Sequence, residues 1–131
     1  MSPRKSLHSI TNTSVSLEDI RAAQGRISAE TIRTPLVLSA AASDRARCQV
    51  YLKLENLQRT GSFKVRGALN TVMSLTPEER GRGLICASSG NHGLGLAYAA
   101  KRFGIRCIVV LPENPNPLKR SLLEKLGAEI V

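Results

Sequence analysis

From Gly83 onward, short apolar runs alternate with amphipathic stretches at an even period. "GLICAS" and "IRCIVVLP" are apolar enough to read as buried strands. "SGNHGLGLAYAAKRFG", closed by Gly104, and "NPLKRSLLEKLG", closed by Gly127, read as helices, and "AEIV" starts a third strand. Strands alternating with helices of roughly 12 residues imply βαβ units and a parallel sheet. In such sheets ligands bind at the carboxyl ends of the strands, where turns enter helices, and "ASSGNHG" occupies that place.

The first half is less regular. Residues 1–15 are polar and aperiodic and are expected to form a disordered arm. "SLEDIRAAQGRISAETI" predicts an amphipathic helix: Ser16 is a candidate N-cap with Asp19 three residues on, and Leu17, Ile20, Ala23 and Ile27 fall at helical spacing, with a weak interruption at Gly25. "RTPL" forces an extended segment, because a residue before proline avoids the α region. "QVYLKLE" alternates and predicts a strand, and "ENLQRTGS" a loop. In "FKVRGALNTVMSL", Val65, Ala68, Leu69, Val72, Met73 and Leu75 make a helical stripe beginning about where Lys64 stands. "TPEERG" is a short helix or turn with Pro77 near its first position.

Composition narrows the class. The chain has 131 residues, 42% hydrophobic and 22% charged, with a mean hydropathy of −0.09, which suits one globular domain. No apolar run approaches the roughly 20 residues of a membrane span, and the start lacks the apolar core of a secretory signal, so a soluble, cytoplasmic protein is expected. The net charge of +9 invites a nucleic-acid reading, but the basic residues are dispersed and aromatics make up only 3%. Small anionic ligands are the milder use of that charge. Cys48, Cys86 and Cys107 form no CxxC pair and read as small buried hydrophobes. His8 and His92 have no metal-ligand spacing, so no metal site is expected.

Two stretches carry candidate chemistry. "SSGNHG", residues 88–93, follows a strand and opens a helix, so unpaired N–H groups face outward at the positive end of the helix dipole. Gly90 and Gly93 permit close approach, while Ser88, Ser89, Asn91 and His92 add short polar side chains. Such a turn is either a carboxylate or phosphate cradle or an ordinary polar cap. No GxxxxGK[ST] is present, and "GNHGLG" is not GxGxxG in register. The second stretch is "TGSFKVRGALN". Desolvation, a neighbouring cation or a helix N-terminus can make a lysine a nucleophile toward carbonyls. Lys64 stands near a helix start beside Phe63, with Arg66 two residues on; the alternative is an ordinary solvated lysine.

"KLENLQRTGSFKVRGALN", then "ASSGNHGLGLAYAA", then "LPENPNPLKRSLLEKLGAEIV", with "RTPL" ahead of the first strand, resembles the serine/threonine dehydratase group of fold-type-II pyridoxal 5′-phosphate enzymes. The resemblance runs from about Leu17 to Val131 and implies a tryptophan-synthase-β-like α/β fold with a parallel open sheet and flanking helices. It implies that Lys64 forms a Schiff base with the pyridoxal phosphate aldehyde and then moves the α-proton. Phe63 would pack on the pyridine ring, unless it is plain core. Asn91 would hydrogen-bond the ring hydroxyl, and Ser88, Ser89, Gly90, Asn91 and His92 would hold the substrate carboxylate. Ser89, as in the serine racemase and hydroxyaspartate dehydratase members, would be a second acid/base. Arg66 and Gly67 would be structural support.

The implied reaction is β-elimination from L-threonine or L-serine to a 2-keto acid and ammonia, with racemisation or hydroxyaspartate dehydration as alternatives. The partner is a small amino acid, with neither nucleic acid nor membrane, and family members are homo-oligomers. The resemblance further implies that residues 16–82 begin the large cofactor domain and that 83–131 form an incomplete small domain. The glycine-rich loop for the cofactor phosphate is not among these 131 residues. The chain is therefore expected to be an N-terminal portion, inactive by itself.

Overall fold

The computed structural model describes residues 14–131, so the arm expected at residues 1–15 lies outside the described residues as far as residue 13. Helix α1, Leu17–Ile27, opens with the capping box that its sequence predicts. Ser16 Oγ accepts from the Asp19 N–H at 3.1 Å, and the Asp19 carboxylate accepts from the Ser16 N–H at 2.9 Å. Gly25 leaves the helix unbroken. The expected apolar stripe is covered only at its end: Ile27 is buried, whereas Leu17 and Ile20 are exposed, because α1 meets the rest of the molecule through its contact with α3 (Lys64–Ser74).

Beyond the extended "RTPL" segment, β1 (Leu36–Leu38) and β2 (Tyr51–Lys53) pair antiparallel, Leu36 opposite Lys53 and Leu38 opposite Tyr51. Between them lies α2, Ala40–Ala46, which the sequence reading did not predict. It buries no residue, so it has no stripe to reveal it; its local sign is Ser39, whose Oγ accepts from the Ala42 N–H at 3.3 Å. Cys48, expected to be buried, is exposed just after α2. The loop "ENLQRTGS" begins with a 3₁₀ turn at Glu55–Leu57.

Helix α3 starts at Lys64, as its stripe predicts, and α4, Pro77–Gly81, is a short helix with Pro77 in its first turn. The βαβ pattern then appears in order: β3 (Leu84–Ala87), α5 (Asn91–Phe103), β4 (Cys107–Val110), α6 (Pro117–Lys125) and β5 (Glu129–Ile130). The strands form a parallel sheet in the order β3-β4-β5. Gly104 and Gly127 both have positive φ, 66° and 80°, where side chains with a Cβ are disfavoured.

The register sets Leu84 beside Cys107 and Cys86 beside Val109, so these four share the face turned to the core. The opposite face holds Ile85, which is 69% exposed, and Val110. β3 is therefore half-covered and not the fully buried strand its composition suggested, because the described helices close one face of the sheet. The core is continuous across residue 82: Val65, Ala68, Leu69 and Val72 of α3 cluster with Leu94, Ala97 and Ala100 of α5, Val109 of β4 and Leu123 of α6. Complete burial of a Val or Leu side chain stabilises by about 1.5–3 kcal/mol, and Val65, Leu69, Val72, Val109 and Leu123 are all fully buried.

Candidate active site

Lys64 is the first residue of α3, following Phe63 and Ser62, whose Oγ lies 3.4 Å from the Lys64 N–H. Its ammonium nitrogen stands 5.0 Å from the centroid of the Phe63 ring, within cation–π range. Both side chains line an open cavity of about 520 Å³, together with Gly67, Thr71, His92 and Leu96. That volume lies within the span of roughly 300–1,000 Å³ common for small-ligand sites. Phe63 is 59% exposed, which removes the reading of it as plain core. A second cavity, about 250 Å³ and lined by residues such as Thr60, Leu94 and Tyr98, contains none of the predicted site residues.

The close seating of Lys64 depends on a residue that the sequence reading passed over. A Cβ added to Gly95 would fall 3.2 Å from the Lys64 carbonyl carbon and oxygen and from the Val65 nitrogen. Glycine at that point lets the first turn of α3 rest directly on α5. The available signal was the run "GLGLAYAA", small residues at positions where one helix approaches another.

A polar network anchors the same turn from the other side. Arg66 donates to both Glu55 oxygens, at 2.8 and 2.7 Å, and to the Ile32 carbonyl at 3.0 Å. Thr34 Oγ1 donates to Glu55 Oε1 at 2.5 Å. The Arg66 hydrogen bonds, aided by Thr34 and by the charge of Lys53, hold the Glu55 carboxyl at a pKa of about 2 against the desolvation that opposes them. Arg66 therefore supports the fold, as the resemblance implied, and its charge is engaged by Glu55; it is not the free cation beside Lys64 that spacing alone suggested. Gln58 is buried, its side-chain oxygen accepting from the Ile32 N–H at 2.9 Å and its nitrogen donating to the Ile32 carbonyl at 2.8 Å.

The Ser88–His92 segment joins β3 to α5, as predicted: Ser88, Ser89 and Gly90 form the turn, and Asn91 and His92 open the helix. His92 reaches the cavity lining; Ser88, Ser89 and Gly90 of the turn and Asn91 at the start of α5 are not part of that lining. Ser88 Oγ accepts from the N–H groups of Gly90 and Gly93, both at 3.3 Å, so this side chain acts as a clasp on the turn. The clasp is tight enough that a Cβ at Gly93 would lie 2.4 Å from the Ser88 carbonyl oxygen. Ser89 is exposed and makes no side-chain hydrogen bond among the described residues. Asn91 is the first residue of α5, and its Oδ1 accepts from Lys119 Nζ at 2.9 Å. Lys119 was also missed, although a cation in the first turn of a helix, after the cap "NP", is a departure from the usual acidic preference.

These groups fit pyridoxal phosphate: an amine with a largely exposed aromatic side chain beside it, in a cavity of suitable size, next to a turn rich in donors. Burial raises the Cys86 thiol pKa, and burial with the neighbouring Cys86 raises that of Cys107 to about 11, which disfavours the thiolate at both strand cysteines. No helix among the described residues is long and apolar enough to cross a membrane.

Residues 27–131 match the family model described as pyridoxal-phosphate dependent enzyme. The chain is 44% identical over 117 residues to the L-threonine ammonia-lyase of Thermotoga maritima, covering 89% of this chain and 29% of that protein. Among solved structures, the serine racemase of Dictyostelium discoideum superposes with a TM-score of 0.84 at 41% identity, covering 89% of this chain and 38% of that one. A pyridoxal 5′-phosphate-dependent aspartate racemase gives 0.83 at 42% identity, covering 93% and 39%. The chain thus spans about a third of the length of the relatives it matches.

Proposed function

This chain belongs to the pyridoxal-phosphate-dependent enzymes, and from that premise we propose that it carries the lysine-bearing part of a threonine/serine ammonia-lyase. The observation that carries the reading is the joint placement of Lys64, Phe63 and His92 around one cavity, with the Ser88–Asn91 turn adjoining it. The substrate is a small hydroxy amino acid, and the products are a 2-keto acid and ammonia.

Lys64 would hold the cofactor through Nζ, Phe63 would cover a face of its ring, and the Asn91 carboxamide would donate to its ring hydroxyl. Bound pyridoxal phosphate supplies an electron sink that makes the α-proton of an amino acid labile. Lys64 Nζ would take that proton and return it as the acid that assists departure of the β-hydroxyl. The N–H groups of Ser89, Asn91 and His92 would hold the substrate carboxylate at the start of α5, while Ser88 Oγ, accepting from the Gly90 and Gly93 N–H groups, keeps the turn closed.

Ser89 favours a second reading. Its exposed hydroxyl is uncommitted, and a proton carrier distinct from Lys64 is what inversion at the α-carbon requires. Racemisation of a small amino acid is therefore the runner-up, in keeping with the serine racemase and aspartate racemase likenesses.

The test is to incubate the chain with pyridoxal phosphate, reduce with borohydride and map the modified peptide beside a Lys64→Ala control. Selective modification of Lys64 is expected. Labelling spread evenly over surface lysines, unchanged by Lys64→Ala, overturns the reading for this chain.

A further inference from the structure

Lys119 breaks a local rule without an evident structural return. It is half-buried in the first turn of α6, where the helix dipole disfavours a cation, and no carboxylate among the described residues pairs with it. The turn is already capped, since Asn116 Oδ1 accepts from the N–H groups of Leu118 and Lys119 at 3.0 and 3.2 Å. Helix α6 gains nothing from the ammonium. Its one hydrogen-bond partner among the described residues is Asn91 Oδ1, at the N-terminus of α5.

An ammonium can only donate, so the atom of Asn91 facing it has to be the carbonyl oxygen. The carboxamide is thereby oriented, and its N–H pair is turned away from Lys119 with no partner among the described residues. A carboxamide left free could offer either end to a ligand. One held by its oxygen offers donors only, and donors are what an oxyanion needs.

We propose that Lys119 is a positioning residue: by holding Asn91 Oδ1 it presets the Asn91 N–H pair as the donor to the ring hydroxyl oxygen of the cofactor. The inference rests on the cofactor reading above and adds to it a residue 28 positions away in sequence. It also gives the Lys119 charge a use, since an ammonium behind the carboxamide strengthens the N–H groups as donors to an anionic oxygen.

The experiment compares the wild-type chain with Lys119→Met and Lys119→Arg. Without cofactor, the side-chain N–H resonances of Asn91 are expected to shift in Lys119→Met and to return toward wild type in Lys119→Arg, at equal thermal midpoints. With pyridoxal phosphate added, borohydride trapping at Lys64 should weaken about three- to tenfold in the Met variant, as expected for losing a charge-assisted hydrogen bond at a partly exposed site. The absorption maximum of the bound cofactor should move as well, with partial recovery in the Arg variant. Unmoved Asn91 resonances overturn the inference even if trapping at Lys64 is selective. Resonances that move while trapping and absorption stay constant overturn it too, because Lys119 then merely touches Asn91. If wild-type trapping is unselective, the cofactor reading fails, and the resonance comparison still decides whether Lys119 orients the carboxamide.

Discussion

The β1–β2 ribbon and the β3–β5 sheet are both rich in apolar residues, yet they differ in what covers them. Leu36, Val37, Leu38, Tyr51 and Leu52 are all exposed along the ribbon, whereas Cys107 and Val109 of the sheet are buried. Among the described residues the ribbon has two strands and no layer against either face; the sheet has helices against one face, and the other, with Ile85, is open. Apolar sequence makes a strand worth burying, but burial comes from a second layer. The site lies where the two regimes meet: Lys64 starts the helix that packs on the covered unit, and the Glu55–Arg66 network ties that helix to the segment flanking the ribbon.

The contrast is sharpest at Leu69. Replacing this fully buried side chain with alanine should cost about 3 kcal/mol in urea denaturation. A loss below about 1 kcal/mol would break the comparison, since the α3–α5 contact would then be as loosely packed as the ribbon.

The link between the two regions comes next. Because Glu55 is more acidic when folded than the ordinary carboxylate value of 4.5, its contribution is complete above that value and is lost as pH falls toward about 2. Glu55→Gln should cost about 2 kcal/mol at pH 7, after discounting for solvent screening, and should flatten the fall in stability between pH 4.5 and 2. Acid titrations of wild type and variant with the same slope would show that the ribbon is not anchored through Glu55.

Two glycines give a smaller and more pointed test. Gly25→Ala meets nothing within 4 Å and should stabilise by up to about 1 kcal/mol through helix propensity. Gly95→Ala should forfeit that gain and alter the rate at which Lys64 reacts with pyridoxal phosphate, because its Cβ presses on the Lys64 backbone. Equal behaviour of the two variants in thermal unfolding and trapping would mean that α3 shifts without consequence. The smallest effect belongs to the ribbon: Leu52→Ser should change stability by less than about 0.5 kcal/mol while reducing self-association in light scattering.

What could be read from the residues follows the same division. The β3–α5–β4–α6–β5 order was legible because Gly83, Gly104, Gly127 and the prolines around residues 112–117 punctuate the elements, whose apolar runs and stripes are distinct. The start of α3 at Lys64 was legible from the stripe of Val65, Ala68, Leu69 and Val72. Helix α2 was hidden because it buries nothing, and the open face of β3 because composition does not report which side of a sheet is covered. At the site, the local stretches "SFK" and "SSGNHG" could be found. Gly95, Glu55 and Lys119 could not be assigned roles, since each acts across a tertiary contact: Gly95 on the Lys64 backbone, Glu55 on Arg66, Lys119 on Asn91.

Gln58 offers its side-chain amide to both backbone groups of Ile32, standing in for a neighbouring strand. A residue outside any regular element thus acquires the hydrogen-exchange behaviour of a paired one. The Ile32 amide should exchange slowly, and because Arg66 shares its carbonyl, its protection should vanish together with that of the first turn of α3. The approach to the ribbon and the lysine helix would then open as one unit, making a single glutamine the latch of a segment that looks like loop.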